Sequence, residues 1–509
     1  MFTPLLGALV LLCVPRTRGD LLRRVANGFG LLGVAVVLSL FFLFHSYSAE
    51  PFQFVTDANW IPSLEVHFRL GLDGISLLMI ALTTVLGAVA IFASWPGIQR
   101  REKEYYVLLL LAQTSFLGVF MALDFFLFYV FWVVALVPIY LLIAGWGGSD
   151  RARAAMRFIL YTLAGSLLML LAILALYHAR GTFDMREILQ MPFGGQSGRV
   201  EFWIFWGFFL AFAIKLPIFP FHSWLADAMS EAPTAVSVLI AGVLLNTGAY
   251  GLLRICVPMF PDATLKYRGT IVVLSLIAIV YGALLCLTQN EMKRMIAYLS
   301  LSQMGFCTLG IFALTPSGLN GSVIQQVSHG LTAGALLLIA GVLHERQRAG
   351  AIIEFRGLAK TMPKLAAVYM IATLAALGLP LFSGFVGEFM ILRGALAVKW
   401  QWAAWSLLGV VVVAASLLWL YQRTMFGIGG DNANDGSFDL MSREIATLLP
   451  LLALSFFIGV YPAPLVRALL RPTLRIVEAV KPGSVRSFLR LSVLPGATPS
   501  ATSPVPEAK

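Results

Sequence analysis

The sequence predicts an all-α polytopic membrane protein of about fourteen transmembrane helices, with two inverted five-helix repeats that each contain a proline-broken helix. Three observations predict this class. Of 509 residues, 59% are hydrophobic and 12% charged, with a mean hydropathy of +0.86; a soluble chain carries about twice that charged fraction. Apolar runs long enough to cross a bilayer recur along the whole length. A Leu-Pro-[Ile/Leu]-Phe core occurs twice, as Leu216-Pro217-Ile218-Phe219 and Leu379-Pro380-Leu381-Phe382, each inside such a run. Proline removes a backbone donor and clashes with the preceding turn. In hydrocarbon the freed carbonyls need protein groups or water, so a repeated break beside a charge points to an ion path.

Taken in order, the candidate spans fall near residues 2–14, 25–47, 70–94, 105–122, 125–146, 155–177, 202–226, 235–257, 269–289, 295–314, 321–343, 365–392, 402–421 and 445–466. The first is short and is followed, not preceded, by Arg16 and Arg18. That charge order is the reverse of a signal peptide, so the run reads as a retained first helix. Arg23 and Arg24, Arg100, Arg101 and Lys103, then Arg151, Arg153 and Arg157, and later Lys293 and Arg294, sit in alternate short loops. Loops 48–68 and 315–320 carry almost none, which places the N-terminus outside. The basic residues Arg467, Arg471, Arg475 and Lys481 run against that rule, since an even span count puts them outside too.

The organisation follows from the duplicated break: 1–100 as flanking spans 1–3, 101–260 as the first repeat (spans 4–8), 261–430 as the second (spans 9–13), 431–480 as span 14, and 481–509, rich in Pro, Ser and Ala, as a disordered tail. A five-helix repeat necessarily inverts its second copy. The net charge of +11 is spread over interhelical loops, so it marks lipid-facing topology and not a nucleic-acid partner. Cys13, Cys256, Cys286 and Cys307 lie in or beside apolar runs and read as small buried hydrophobes. The sequence shows no metal-ligand spacing, no phosphate-binding glycine loop and no cysteine cluster for haem or iron–sulfur chemistry. The expectation is a subunit without a cofactor of its own, driven by energy collected elsewhere.

Lys215 stands just before the first break, deep inside its span. A charge near the bilayer centre costs about 3 kcal/mol even on the permissive insertion scale, so it is retained where it pairs or relays protons. Glu388 follows the second break inside the apolar run Phe385–Leu392, and His329 lies in Gln325-Gln326-Val327-Ser328-His329-Gly330-Leu331, between the two breaks in chain order. An imidazole both donates and accepts, which suits a relay. His222 sits within the first break, where broken helices line wet cavities, and is a fourth proton-translocation candidate beside Lys215, His329 and Glu388. Asp73, Asp124, Asp227 and Glu231 lie near span ends and read as caps or anchors.

At these residues the chain resembles the antiporter-like membrane subunits of respiratory complex I. The resemblance rests on Lys215 to Thr234, Glu291-Met292-Lys293-Arg294-Met295-Ile296-Ala297-Tyr298, Ser328-His329-Gly330-Leu331, Phe382-Ser383-Gly384-Phe385-Val386-Gly387-Glu388, Leu72-Asp73-Gly74-Ile75-Ser76-Leu77-Leu78 and Tyr421-Gln422-Arg423. A glutamate in span 12 and the missing long lateral helix match the subunit M (chain 4) branch. The resemblance implies a membrane-arm subunit of an NADH:quinone oxidoreductase in a bacterial inner membrane, assembled with other membrane-arm subunits. It implies a proton channel with Lys215 as central carrier, His329 as relay and Glu388 as exit acid.

Three family carrier positions are substituted. The family's aromatic-aromatic-Glu-x-x-Leu-[Ile/Val]-Pro reads Phe131-Trp132-Val133-Val134-Ala135-Leu136-Val137-Pro138, so the acid expected opposite Lys215 is Val133. Leu-Leu-Lys-x-Gly reads Leu244-Leu245-Asn246-Thr247-Gly248, and Gln303 stands where Ser-Ser-x-Ser-His-Met-Gly has its histidine. Loss of an acid and a base together keeps the buried charge near balance, and points to a first half-channel that is altered or silent. The rival readings are a subunit of a multisubunit cation/proton antiporter or ion-coupled carbon transporter of the same fold, and a structural spacer that transports nothing.

Overall fold

The computed structural model describes residues 1–46, 48, 50–191, 193, 198–347, 351–427 and 438–483. The tail expected from Lys481 lies outside the described residues from position 484 onward. Helices α1 (Thr3–Cys13) and α2 (Gly19–Leu43) pack on α3 (Gly74–Ala93) and α4 (Glu102–Met121). The chain continues through α5 (Phe125–Val134), α6 (Leu136–Trp146), α7 (Arg151–Arg180), the short α8 (Met185–Gln190), and a helix broken into α9 (Gly198–Lys215) and α10 (Ser223–Glu231). Then come α11 (Thr234–Leu239), α12 (Leu245–Gly251) and α13 (Val257–Met259), joined by π-helical turns at Ile240–Leu244 and Leu252–Cys256. After these stand α14 (Pro261–Thr288), α15 (Met292–Phe312), α16 (Pro316–Gln347), the single turn α17 (Leu358–Thr361), a helix broken into α18 (Pro363–Ala376) and α19 (Ser383–Leu396), and α20 (Trp400–Met425). Two helices follow, α21 (Ser442–Val460) and α22 (Ala463–Val480).

Eleven helices among the described residues are long and apolar enough to cross a membrane, counting α5–α6 and α11–α13 as one each. The other expected spans are α1, which has 11 residues, and the two broken helices. The segment from Thr234 to Met259 is wholly enclosed by neighbours, and with α3, α4, α15 and α16 it forms the buried axis. α2, α7 and α20 lie at the periphery.

The first break has a visible backbone account. Pro217 has no N–H to give Ala213, whose carbonyl instead accepts from Ile218 N at 2.9 Å. That leaves the Ile214 carbonyl, which takes the Trp224 indole N–H at 2.9 Å. Buried backbone groups are paired in this way wherever a helix stops inside apolar surroundings. The two broken helices run in opposite directions. α10 ends where Lys293, at the start of α15, donates to Ala232 O at 2.9 Å. α19 ends near the other end of α15, where Ser317, at the start of α16, donates to Met390 O at 2.9 Å.

Two elements depart from the sequence reading. Loop 48–68 contains an antiparallel hairpin, β1 (Gln53–Ile61) and β2 (Val66–Leu72), turned at the left-handed Glu65. The hydropathy reading passed over it because β1 is exposed along most of its length. The buried Arg69 ties the hairpin to Asp57 at 2.6 Å and, next to α8, to Asp184 at 2.7 Å. The region 431–480, expected as one span, holds both α21 and α22. α22 is amphipathic: Leu465, Leu469, Ile476, Val477 and Val480 face inward, while Arg467 and Arg475 are exposed. Arg471 donates to Ser48 O at 2.6 Å, so α22 lies on the face that carries the hairpin. The basic residues that ran against the positive-inside rule therefore belong to a surface helix, where charge is placed by amphipathicity and not by a crossing loop.

Candidate functional site

Of the candidate carriers, His329 lies on the buried axis, while Lys215 and Glu388 lie on α9 and α19, which pack against it. Lys215, the last residue of α9, is 1% exposed. Its Nζ lies 3.5 Å from the centroid of the Trp132 ring and 3.4 Å from the Trp132 carbonyl oxygen, to which it donates. Trp132 Nε1 in turn donates to Ser166 Oγ on α7 at 3.2 Å. Val133, next to Trp132 on α5, is half-buried against apolar side chains. Among the described residues no carboxylate lies within ion-pair distance of Lys215.

Asn246 lies between the two π turns, and such turns recur at functional sites because they free backbone groups and re-aim side chains. A side chain at Gly248 would meet Leu216 N at 2.9 Å, so this glycine brings α12 hard against the first break. Asn246 Nδ2 donates to Gly242 O at 2.8 Å and reaches across to Gln326 O on α16 at 3.2 Å. Its buried Oδ1 has no partner among the described residues. His329 is one turn further along α16, buried, and its Nε2 is likewise unpartnered.

The second half is built around Glu388, 7% exposed on α19. Its Oε1 accepts from Gln303 Nε2 at 3.0 Å and from Gln325 Nε2 at 3.4 Å, and the Gln325 amide also donates to Gln303 Oε1 at 2.6 Å. Gln325 and His329 are four residues apart on α16 and share a face. The second break folds over the other carboxylate oxygen. Gly378, at φ +67°, would place a Cβ 2.7 Å from Glu388 Oε2. Ser383, at the start of α19, joins Ser328 on α16 and Ser455 on α21 at 2.8 Å each.

The fold thus lines up Lys215, Asn246, the α16 face bearing Gln326, His329 and Gln325, then Gln303 and Glu388. His222 stands apart: it is half-buried, stacked on Phe219 at 5.8 Å and set edge-on to Tyr281 at 5.4 Å. Asp73 caps α3 through Ser76 N at 2.9 Å and Asp124 caps α5 through Phe126 N at 2.9 Å. Asp227 pairs with Arg157 and Arg294, and Glu231 Oε2 accepts from Asp150 N at 3.0 Å.

Sequence reasoning missed Trp132, Gln325 as a ligand of the carboxyl, and Arg254. Arg254 is buried in the apolar segment near the α22 face and pairs with Asp73 at 2.7 Å. A charge inside the run 235–257 was signal enough to find it. The aromatic pair before Val133 set Phe131 and Trp132 apart, but nothing in the one-dimensional pattern showed which of them meets Lys215.

The family model described as NADH:quinone oxidoreductase/Mrp antiporter, transmembrane, matches residues 122–416. NADH-quinone oxidoreductase subunit M of Rhodobacter capsulatus is 41% identical over 485 residues, covering 93% of this chain and 94% of the relative. NADH-ubiquinone oxidoreductase chain 4 of Arabidopsis thaliana is 40% identical over 460 residues, covering 90% and 92%. A chain of respiratory complex I from Thermus thermophilus with bound NADH superimposes with a TM-score of 0.85 at 32% identity, covering 94% of this chain and 98% of that one. A chain of the Mrp complex from a Dietzia species shares the fold, with a TM-score of 0.82 at 21% identity and coverage of 95% and 97%. The chain belongs to the subunit M (chain 4) family of NADH:quinone oxidoreductase, within the wider NADH:quinone oxidoreductase/Mrp antiporter transmembrane group.

Proposed function

We propose that this protein is a membrane-arm subunit of a proton-translocating NADH:quinone oxidoreductase and moves protons chiefly through its second half. The observation that carries this reading is the enclosed Glu388, held by two glutamine amides, one of which, Gln325, lies one helical turn of α16 from His329 with its unpartnered Nε2. A buried carboxyl in this setting can take a proton from a neighbouring imidazole and release it when the break beside Gly378 shifts. Glu388 acts as the exit acid and His329 as its relay.

In the first half Lys215 remains a proton carrier, but no acid among the described residues faces it, and Asn246 can orient water without binding a proton itself. His222 takes no direct part, since it faces Phe219 and Tyr281. Electron transfer belongs to partner subunits, because this chain carries no cofactor motif. The subunit sits in a bacterial inner membrane among other membrane-arm subunits, with its N-terminus outside. Two observations support that orientation: Arg157 and Arg294 mark one face, and at the other the N-terminal Phe2 stacks on Phe68 of the hairpin at 6.1 Å.

The test is Glu388→Gln in the assembled complex in native membranes. Protons moved per electron pair fall while NADH-to-quinone turnover persists. An unchanged ratio refutes the channel and supports a spacer that transports nothing.

A further inference from the structure

Lys215 lacks its acid, yet its ammonium is not left bare. Its Nζ lies over the Trp132 indole at 3.5 Å from the centroid and within 3.4 Å of the Trp132 carbonyl oxygen. We propose that Trp132 is the positioning residue of Lys215, holding the amine by its ring face and its own backbone carbonyl where the family motif relies on a glutamate one residue further on. This rests on the reading of Lys215 as a proton carrier.

The indole is the best aromatic acceptor for a cation, because its face carries the most negative potential. Its orientation is fixed on several sides. Nε1 donates to Ser166 Oγ at 3.2 Å, and that hydroxyl donates to Thr162 O at 2.8 Å. Phe128 stacks against the ring at 5.7 Å and Phe212 meets it at 5.4 Å, 71° from parallel. A ring gripped in this way presents one face to the amine and cannot turn away without breaking the Ser166 contact.

The two kinds of partner differ in consequence. When a lysine paired with a carboxylate gives up its proton, it leaves a buried, unpaired anion, which is costly. An indole and a carbonyl carry no net charge, so Lys215 can pass its proton on without stranding one. The neutral amine still donates N–H groups to the ring face and to the carbonyl, and the two together keep the side chain in place through the cycle. Trp132 thereby lets a carrier persist at 215 after the acid at 133 is lost.

The experiment uses the assembled complex, with Trp132→Leu, Trp132→Phe, Ser166→Ala, Lys215→Met and the Trp132→Leu/Lys215→Met double variant. The readouts are protons moved per electron pair at saturating NADH, and cryo-electron microscopy of the parent and Trp132 variants. Expected is a fall in the ratio for Trp132→Leu equal to that for Lys215→Met, with no further fall in the double variant. Trp132→Phe retains more than half of the lost increment, and Ser166→Ala loses part of it. In the images Nζ stays within about 6 Å of the ring in Trp132→Phe and leaves its place in Trp132→Leu. Equal losses in Trp132→Phe and Trp132→Leu, additive losses in the double variant, or an undisplaced Lys215 in Trp132→Leu overturn the proposal. If Trp132→Leu does not assemble, Trp132→Phe and Ser166→Ala decide it. An unchanged ratio in Lys215→Met refutes the carrier reading on its own, and the displacement of Nζ still decides the positioning.

Discussion

Replacing Gly378 by alanine isolates how the second break holds the exit acid. Gly378 has φ +67°, and an added Cβ would lie 2.7 Å from Glu388 Oε2. The left-handed conformation by itself costs alanine about 1–2 kcal/mol. The clash is relieved if the carboxyl moves, but Oε1 is held by Gln303 at 3.0 Å and Gln325 at 3.4 Å. Weakening those contacts costs about 1 kcal/mol or more for each one lost. The expected destabilisation is about 2–4 kcal/mol, together with a lower proton-to-electron ratio. Gly181, at the end of α7, supplies the control: its φ is +72°, and nothing lies within 4 Å of an added Cβ. Gly181→Ala should therefore show the conformational cost alone, about 1–2 kcal/mol, with unchanged pumping. Both variants are compared in the purified complex by thermal denaturation and by proton uptake in liposomes. Equal thermal shifts for the two, or parent-like pumping in Gly378→Ala, refute the view that the break holds Glu388 in place.

Two further perturbations test the rest of the axis. Asn246→Lys puts a cation at a fully buried position and should cost about 3 kcal/mol, read as lower yield and an earlier thermal transition of the complex. Adding Val133→Glu should recover part of the loss, since buried charges couple non-additively, and a harmless Asn246→Lys would show that the two substitutions are not a coupled charge loss. Arg254→Leu should destabilise by about 3–5 kcal/mol, because it strands the buried Asp73 carboxylate. Asp73→Asn in the same chain should restore most of that stability, because an asparagine oxygen can still cap α3 through Ser76 N; no recovery would mean that Arg254 acts by packing alone.

The sequence by itself determined the membrane class, the two interrupted helices and the chemistry at their breaks. Bilayer thickness sets a length for apolar runs, and proline in hydrocarbon leaves a mark that survives in one dimension. It also exposed Val133, Asn246 and Gln303 as departures, because each changes a side chain's capacity to carry charge. Partnership was decided only by the tertiary structure. Gln303, Gln325 and Glu388 are spread over three helices and meet because α15, α16 and α19 pack together. Trp132 faces the Lys215 amine because its ring is wedged between Phe128, Phe212 and Ser166. Arg254 finds Asp73 across 181 positions of chain for the same reason: a buried charge must pair, and which residue answers depends on how helices stack. The hairpin and α22 escaped hydropathy because both lie along the surface, where an exposed strand and an amphipathic helix have no need of a long apolar run.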